Sequence, residues 1–256
     1  MAKKHLGQNF LFDPSILHRL VEASQVTADD AVVEIGPGYG SLTAILARTA
    51  GKVIAIELDD KLFGKLREKF RGSSNIVLIH GDALDFAYEE LESFRVVANI
   101  PYYITTPIIF RLMEAGKRLK SMTLTIQKEV ADRITAGPNT KDYGVLSIAV
   151  QYAAVPEMKF IIPREAFKPV PKVDSAVIHL TMRDTPKVRV KNEKFFFTVV
   201  RAAFSQRRKT LSNSLKQIAP DIKEKMIAAG IDPGRRAETL EIEEFALLAD
   251  YLGANY

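Results

Sequence analysis

A four-residue turn, Asn99-Ile100-Pro101-Tyr102, carries the side chains best suited to chemistry in this sequence. It follows a predicted strand over Phe94–Ala98. The lone pair of an aromatic amine is delocalised into its ring, so the amine attacks poorly unless acceptors hold its N–H groups. The side-chain oxygen of Asn99 and a backbone carbonyl near Pro101 suit that role, and Tyr102 suits stacking on a flat base. Taken alone, the turn fits an ordinary proline turn with a packed tyrosine equally well.

A glycine loop upstream, residues 34–40, lies between a predicted strand and a predicted helix, which is the context in which such loops bind nucleoside cofactors. Glu57, at the end of the next predicted strand, can accept hydrogen bonds from both ribose hydroxyls, and Asp82 can accept one from an adenine amino group. The loop alone also fits a structural turn or an NAD site. With Asn99 in register, the set favours an enzyme that binds S-adenosylmethionine and methylates an exocyclic amine of a base. The predicted cofactor contacts are Gly36, Gly38, Glu57, Asp82 and Asn99.

Composition narrows the chemistry further. The 256 residues include no cysteine and four scattered histidines. Without cysteine there are no disulfides and no thiolate nucleophile, which excludes methylation of a pyrimidine ring carbon through a cysteine adduct. The histidines have no metal-site spacing, so we expect no metal. No long apolar run and no signal-like N-terminus are present, so we expect a cytoplasmic protein without a membrane segment.

Strand-like and helix-like runs alternate along the first two-thirds of the chain, which predicts an α/β fold with helices on both faces of a Rossmann-like sheet. After Thr185-Pro186 the strand-like runs stop, and four runs read as helices. We therefore expect a cofactor-binding catalytic domain over residues 1–185 and a small all-helical C-terminal domain over residues 186–256.

The basic charge is concentrated in the last third of the sequence. The formal net charge is +5, and residues 183–256 carry 14 Lys and Arg against 10 Asp and Glu. Within them Arg207, Arg208 and Lys209 form a cluster at a predicted helical junction. Such a cluster can follow nucleic-acid phosphates. A solvated helical surface near a helix C-terminus explains the charges equally well, so composition leaves both interpretations open.

Several further segments have distinctive sequences: Gly7–Leu11, Gly81–Leu84, Phe167–Val177, Phe204–Leu211 and Arg236–Leu240. Together with the glycine loop and the Asn99 turn, they make the chain resemble the ribosomal RNA adenine N6,N6-dimethyltransferases. Among these, it most resembles the KsgA type that acts on small-subunit rRNA. The resemblance covers nearly the whole chain, and the later segments are highly specific to the family.

The resemblance implies further residue roles. Asn9 and Leu11 should contact the cofactor, and Phe167 matches an aromatic residue that stacks on the face of the flipped base opposite Tyr102. Without the resemblance, Phe167 would more often be a core residue. Tyr103 departs from the asparagine of many relatives, at a position that varies within the family. The resemblance also favours phosphate contact by the cluster at 207–209, which the large-subunit resistance enzymes usually lack.

The expected activity is transfer of two methyl groups from S-adenosylmethionine to N6 of each of two adjacent adenosines, in a hairpin near the 3′ end of small-subunit rRNA. The expected partner is small-subunit rRNA within an immature small ribosomal subunit, bound by a monomer. A large-subunit rRNA adenine dimethylase that confers antibiotic resistance is one alternative. An RNA-binding ribosome assembly factor with secondary catalysis is another.

Overall fold

The computed structural model describes residues 9–253. Its strands are β1 (Phe10–Leu11), β2 (Ala31–Ile35), β3 (Lys52–Glu57), β4 (Ile76–His80), β5 (Phe94–Asn99), β6 (Leu119–Gln127), β7 (Ala154–Ile162), β8 (Phe167–Lys168) and β9 (Ser175–Met182). Its helices are α1 (Pro14–Ser24), α2 (Ser41–Thr49), α3 (Asp60–Lys69), α4 (Thr105–Met113), α5 (Lys128–Thr135), α6 (Val145–Ala153), α7 (Glu193–Phe204), α8 (Leu211–Leu215), α9 (Ile222–Ala228) and α10 (Ile242–Leu252).

Seven strands form one mostly parallel sheet in the order β4-β3-β2-β5-β6-β9-β7. β2 pairs in parallel with both β3 and β5, while β9 runs antiparallel to β6. The chain order therefore reverses at β2, because β3 and β4 lie on one side of it and β5 and β6 on the other. Open α/β sheets bind ligands outside the carboxyl ends of the strands at such a switch point. The predicted Rossmann-like α/β class is confirmed.

The central strands are apolar because both faces of a parallel sheet are covered. Val32, Val33 and Ile35 of β2 are buried, as is every residue of β3 from Val53 to Glu57. Most of the predicted strands and helices in this part of the chain agree with the structure to within three residues. The polar residues that interrupt the buried runs, Glu34 and Glu57, therefore stand out as buried carboxyl groups.

In the sequence, the run Ser41–Thr49 predicts a helix that opens on a serine cap at Ser41. That prediction of the cap is wrong: the N-cap is Gly40, in the left-handed conformation with φ of +71°, and no side chain caps the helix. A Cβ on Gly40 would lie 2.6 Å from the ring of Phe70, so both the backbone angle and the packing require glycine. The first N–H groups of α2 consequently have no side-chain cap.

Two stretches were not predicted as regular elements. Helix α1 is capped by Asp13, whose carboxylate accepts a hydrogen bond from the backbone of Ser15 at 2.8 Å, with Pro14 at the first helical position. Farther along, α6 leads directly into β7 at the edge of the sheet. The α6 sequence is almost entirely apolar, so helical periodicity does not show in it.

The chain divides into two compact units whose ranges differ from the predicted domains. The first runs to Ala131 and resumes over Pro156–Met182, while Asp132–Val155 joins the chain from Arg183 onward in the second. The sequence predicts a single boundary between residues 185 and 186. In the structure the chain passes into the second unit three residues earlier, after Met182, and the segment 132–155 also belongs to that unit. The physical reason is α6, because Ile148 and Tyr152 belong to the buried cluster that also contains Phe196 of α7.

No helix among residues 9–253 is long and apolar enough to cross a membrane. Over the same described residues, no group of three or more His, Cys, Asp or Glu side chains could hold a metal ion.

Candidate active site

An open cleft of about 730 Å³ lies at the carboxyl ends of β2, β3, β4 and β5, in the first unit. Eight of the ten residues predicted to bind the cofactor or act on the substrate line it together: Asn9, Gly36, Gly38, Glu57, Asp82, Asn99, Pro101 and Tyr102. The glycine loop ends at Gly40 and the turn begins at Asn99, yet a Cβ built on Gly36 would lie 3.8 Å from the ring of Pro101. The two motifs therefore form one site.

The glycine loop keeps its backbone close to the cleft through left-handed turns. Gly36 and Gly38 have φ of +66° and +60°, values that side chains rarely adopt. A Cβ on Gly38 would approach the ring of Phe10 to 2.8 Å. Phe10 itself lines the cleft, so the glycine lets this ring lie directly against the loop.

Glu57 organises the loop as well as lining the cleft. Its Oε2 accepts a hydrogen bond from Gly38 N at 3.0 Å, and its Oε1 accepts one from Asp59 N at 2.9 Å. Burial raises the pKa of this carboxyl, while the hydrogen bonds from the two backbone amides oppose that rise. Each carboxylate oxygen has two lone-pair sites, so both oxygens retain capacity to accept from a ligand.

Asp82 follows β4 and is held by its own turn. Its Oδ1 accepts a hydrogen bond from Leu84 N at 2.9 Å, an arrangement typical of Asx turns. The neighbouring Gly81 N donates to the backbone carbonyl of Glu57 at 3.1 Å. The two acidic residues are thus tied to one another through the backbone at the cleft.

The amide of Asn99 has a defined orientation. Its Nδ2 donates a hydrogen bond to the backbone carbonyl of Asn9 at 2.9 Å, so its Oδ1 points the other way. The following turn is fixed by two backbone bonds, from Ile100 N to Thr125 O and from Ile104 N to Pro101 O, each 3.1 Å. Ile100 and Pro101 both line the cleft, and their carbonyls are the backbone acceptors of this turn that follow Asn99 in sequence.

Tyr102 lies on the cleft wall with its hydroxyl 2.7 Å from Ser175 Oγ. Burial of the half-buried phenol raises its pKa, so it stays neutral at physiological pH. The hydrogen bond to Ser175 fixes the tilt of the ring, and a fixed ring stacks on a flat substrate with little loss of rotamer entropy. Nothing in the sequence pattern singled out Ser175 for this role.

Two predicted site residues lie in the core instead. Phe167 is 0 % exposed and is not among the residues that line the cleft, so its stacking on a flipped base stays a prediction. Leu11 is also buried and pairs with Phe167 across the short β1–β8 ladder. Both side chains belong to one apolar cluster with Leu17. Leu11 borders a smaller cavity beside the cleft rather than the cleft itself.

Several residues that line the cleft were not assigned a role by the sequence reasoning, among them Phe10, Leu58 and Tyr103. Phe10 belongs to the Gly7–Leu11 segment, of which Gly7 and Gln8 lie outside the described residues. Leu58 directly follows Glu57 and is an exposed leucine, and Tyr103 is 53 % exposed on the cleft wall. The sequence signal that could have identified Leu58 is its position: it is an apolar residue directly after Glu57, the acidic residue that ends β3.

In the second unit, Arg207, Arg208 and Lys209 are all exposed in the turn after α7. The Arg207 guanidinium donates a hydrogen bond to the backbone carbonyl of Lys141. This bond uses one of its five donors, so the arginine contacts the loop at Lys141 and still presents charge to solvent.

A protein-family model for ribosomal RNA adenine dimethylase matches residues 1–254. A protein of Listeria monocytogenes serotype 4a named ribosomal RNA small subunit methyltransferase A is 48% identical over 99% of this chain and 91% of its own length. A protein of the same name from Clostridium acetobutylicum is 47% identical over 96% of this chain and 92% of its own.

Two solved structures have the same fold over nearly the whole chain. A dimethyladenosine transferase from Plasmodium falciparum superposes with a TM-score of 0.80 at 27% identity, covering 93% of this chain and 95% of its own. The 23S rRNA methyltransferase ErmE superposes with a TM-score of 0.77 at 30% identity, covering 96% and 100%. On the match of the family model and on the near-full-length identities, this chain belongs to the ribosomal RNA adenine dimethylase family.

Proposed function

We propose that this protein uses S-adenosylmethionine to dimethylate N6 of two adjacent adenosines in the 3′-terminal hairpin of small-subunit rRNA. The observation that carries the proposal is the meeting of Glu57 and Asp82 with the Asn99–Tyr102 turn in one cleft. One half of the cleft suits a nucleoside and the other suits a flat aromatic amine.

The residues present fit the adenosine part of this cofactor. Glu57 has free lone-pair sites for ribose hydroxyls, and Asp82 has a second oxygen for an adenine amino group. Leu58 and Ala83 supply apolar surface beside these acids. The turns at Gly36 and Gly38 allow a ligand to approach the backbone closely. When bound, S-adenosylmethionine would supply a methyl group on a cationic sulfonium, so the chain needs no strong general base.

The task of the chain is then to present the amine. Asn99 Oδ1 and a backbone carbonyl of the turn hold the two N–H groups, which favours a pyramidal and more nucleophilic nitrogen. Tyr102 stacks on the base in an orientation fixed by Ser175. Catalysis of this kind depends on positioning and fixed dipoles. Because the same two acceptors serve a secondary amine with one N–H, the site is compatible with a second methyl transfer.

The substrate adenosine must leave its stack to reach the cleft, at a cost on the order of a few kcal/mol. A hairpin loop lowers that cost because its bases are already partly unstacked. The exposed cluster of Arg207, Arg208 and Lys209 is suited to the phosphates of such a hairpin.

A large-subunit rRNA activity is the second candidate, because the ErmE structure shares the fold at 30% identity. The small-subunit substrate is favoured by the 48% identity to the Listeria protein. The cluster at 207–209, absent from most large-subunit resistance enzymes according to the family resemblance, points the same way.

The test is mass spectrometry of RNA from both ribosomal subunits, taken from cells that lack the modification and treated with protein and labelled S-adenosylmethionine. We expect two adjacent dimethyladenosines in small-subunit rRNA and no label in large-subunit rRNA. The Asn99→Ala variant is the control for contaminating activity. If the label appeared only in large-subunit rRNA, the substrate would be large-subunit rRNA and the second candidate function would be correct.

A further inference from the structure

The loop that carries Asp82 has little regular structure of its own. It runs from the end of β4 at His80 to a short 3₁₀ turn at Tyr88–Glu90. Asp82 and Ala83 line the cleft, and the bond from Leu84 N to Asp82 Oδ1 shapes only the local turn. The place of this loop beside the sheet therefore depends also on side chains that contact it from other elements.

Arg111 supplies several of these contacts from α4. Its Nε donates a hydrogen bond to the backbone carbonyl of Leu84 at 3.2 Å, and its Nη2 donates one to that of Phe86 at 2.6 Å. Nη2 also donates to the carboxylate of Glu89 at 2.9 Å. The guanidinium is planar and presents its donors in a fixed fork, so it loses little freedom for each bond that it forms. One side chain thus holds the loop at three points along its length.

Tyr88 joins the same network from inside the core. Its ring lies against Arg111, with the guanidinium carbon 5.4 Å from the ring centre, a distance typical of cation–π contacts. Its hydroxyl donates a hydrogen bond to the backbone carbonyl of Ala83 at 2.9 Å, and the residue is fully buried. Since Ala83 directly follows Asp82, the network that begins at Arg111 reaches the residue next to the predicted adenine acceptor.

Helix α4 connects this network to the other half of the cleft. It begins at Thr105, directly after the 3₁₀ turn Tyr102–Ile104 that follows the start of the Asn99 turn, and Arg111 lies in its last helical turn. The next residue, Leu112, is fully buried, so the helix is anchored in the core beside the arginine. The same helix therefore supports both the turn that receives the substrate and the loop that carries Asp82.

We propose that Arg111 is a positioning residue for the cofactor. It holds the loop where Asp82 accepts a hydrogen bond from the adenine amino group. This inference rests on the proposed use of S-adenosylmethionine. Arg111 is not among the residues that line the cleft, so it acts through the loop and not by contact with the ligand. Its loss should weaken recognition of the amino group more than the affinity for the rest of the nucleoside.

The test is titration calorimetry with S-adenosylhomocysteine and with its analogue that has purine in place of adenine, so that only the exocyclic amino group is missing. The ratio of the two affinities measures recognition of that group. For the wild type we expect a ratio of about ten to a hundred, the equivalent of one charge-assisted hydrogen bond. Arg111→Met keeps the apolar stem and removes the donors. We expect it to lower the ratio by about threefold or more, as for residues that share one hydrogen-bond network.

Two further variants show whether Arg111 acts through Asp82. Asp82→Ala should lose the discrimination by itself, and the double variant Asp82→Ala/Arg111→Met should have the same ratio as Asp82→Ala. Lys117→Ala is the control for charge, because it removes one positive charge at an exposed position just beyond α4. It should keep the ratio of the wild type.

A purely structural role of Arg111 would lower both affinities equally and leave the ratio of Arg111→Met at the wild-type value. That result would overturn the inference and leave the proposed function standing. An equal fall of the ratio in Lys117→Ala would overturn it too, because it would indicate a general effect of charge. A further fall of the ratio in the double variant would show that Arg111 does not act through Asp82.

If Arg111→Met did not fold, Arg111→Lys would decide, because it keeps the charge but replaces the planar fork with a single ammonium group. Its ratio should also fall, and a wild-type ratio there would overturn the inference. Equal binding of the two ligands by the wild type would overturn the inference together with the role of Asp82. If neither ligand bound the wild type, the proposed cofactor itself would be wrong.

Discussion

Glu57 shows how a single residue serves both the fold and the site. Its two oxygens accept hydrogen bonds from the backbone of Gly38 and Asp59, so the carboxylate holds the loop in the shape that receives a ligand. The same oxygens face the cleft. Hydrogen bonds to a charged acceptor contribute roughly 1.5–3 kcal/mol each, and a site whose acceptor is already fixed loses little entropy on binding.

Removing either acid should weaken cofactor binding. We expect Glu57→Ala and Asp82→Ala each to lower the affinity for S-adenosylmethionine by about ten- to a hundredfold, the equivalent of one charge-assisted hydrogen bond. Titration calorimetry measures this directly. Asp85→Ala is the control, because this exposed acid lies three residues beyond Asp82 and does not line the cleft. Unchanged affinity in both test variants would show that the nucleoside binds elsewhere.

The Asn99 turn should separate catalysis from RNA binding. We expect Asn99→Ala to lose most turnover while it keeps its affinity for rRNA, because the amide acts at the reacting amine. Tyr102→Ala should behave alike, whereas Tyr102→Phe should keep much of its activity, since stacking survives the loss of the bond to Ser175. Single-turnover rates and RNA affinities measured on the same preparations provide the comparison. Equal inactivity of the Phe and Ala variants at Tyr102 would show that the hydroxyl is required.

Glu34 should make the stability of the free protein depend on pH. Its folded pKa is raised to about 8 from an ordinary value of 4.5, so between these two pH values the folded state holds a proton that the unfolded state has lost. The free energy of unfolding should therefore fall as pH rises through this window, by at most about 1.4 kcal/mol per pH unit. Glu57, whose pKa is also raised, acts in the same direction. Denaturant unfolding at several pH values should show a shallower fall for Glu34→Gln, and identical profiles would mean that Glu34 is ionised in the free protein.

At the scale of elements, the predictions from the sequence agree best with the structure where the local pattern of a segment also determines its place in the fold. The ends of β2, β3, β4 and β5 were predicted to carry the site, and the open cleft lies at those ends. That agreement follows from topology, since the carboxyl ends of parallel strands share one edge of the sheet.

Two features that the sequence did not predict, the burial of Phe167 and the place of α6, depend on non-local packing. Phe167 lies in a segment typical of the family, but its exposure depends on β8 pairing with β1, more than 150 residues away in sequence. Likewise α6 joins the second unit through contacts of Ile148 and Tyr152 with α7. Neither local propensity nor periodicity contains such information, because both partners must be known before burial can be assigned.

Two glycines should respond in opposite ways to the same substitution. Gly38→Ala forces a side chain into a left-handed backbone and against Phe10, so we expect destabilisation by about 1 kcal/mol or more and weaker cofactor binding. Gly64→Ala lies within α3 and meets no atom within 4 Å, so we expect stabilisation by roughly 0.5–1 kcal/mol and unchanged binding. Thermal melts and calorimetry test the pair. Equal melting temperatures for the two variants would contradict the conformational argument.

At the scale of the whole molecule, the two units carry different chemistry. The first holds the cleft with its buried and half-buried carboxyls, while the second holds its own apolar core and an exposed basic turn. Phosphate contacts position a nucleic acid without reading its bases. Under the proposed function, the second unit contributes affinity that depends on salt, and base selection takes place at the Asn99 turn.

The basic turn is best tested with a variant that spares its structural bond. Arg207 donates a hydrogen bond to the backbone of Lys141, so we choose the double variant Arg208→Ala/Lys209→Ala. Each lost phosphate contact should flatten the dependence of log affinity on log salt by up to about one unit, hence up to about two units for the pair. Affinity for S-adenosylmethionine should not change, because the cleft lies in the first unit. RNA affinities at four or more salt concentrations give the slopes.

The control removes the same charge elsewhere in the second unit, as Lys194→Ala/Lys223→Ala at two exposed positions. General electrostatic attraction would lower RNA affinity alike in both double variants, since long-range charge acts without regard to position. Direct contact at the turn predicts a flatter slope only for Arg208→Ala/Lys209→Ala. If the slope of Arg208→Ala/Lys209→Ala equalled that of the wild type, these residues would be part of a solvated surface at a helix end. Their replacement would then change the free energy of unfolding by no more than about 0.5 kcal/mol. The net charge of the C-terminal third would have no functional explanation.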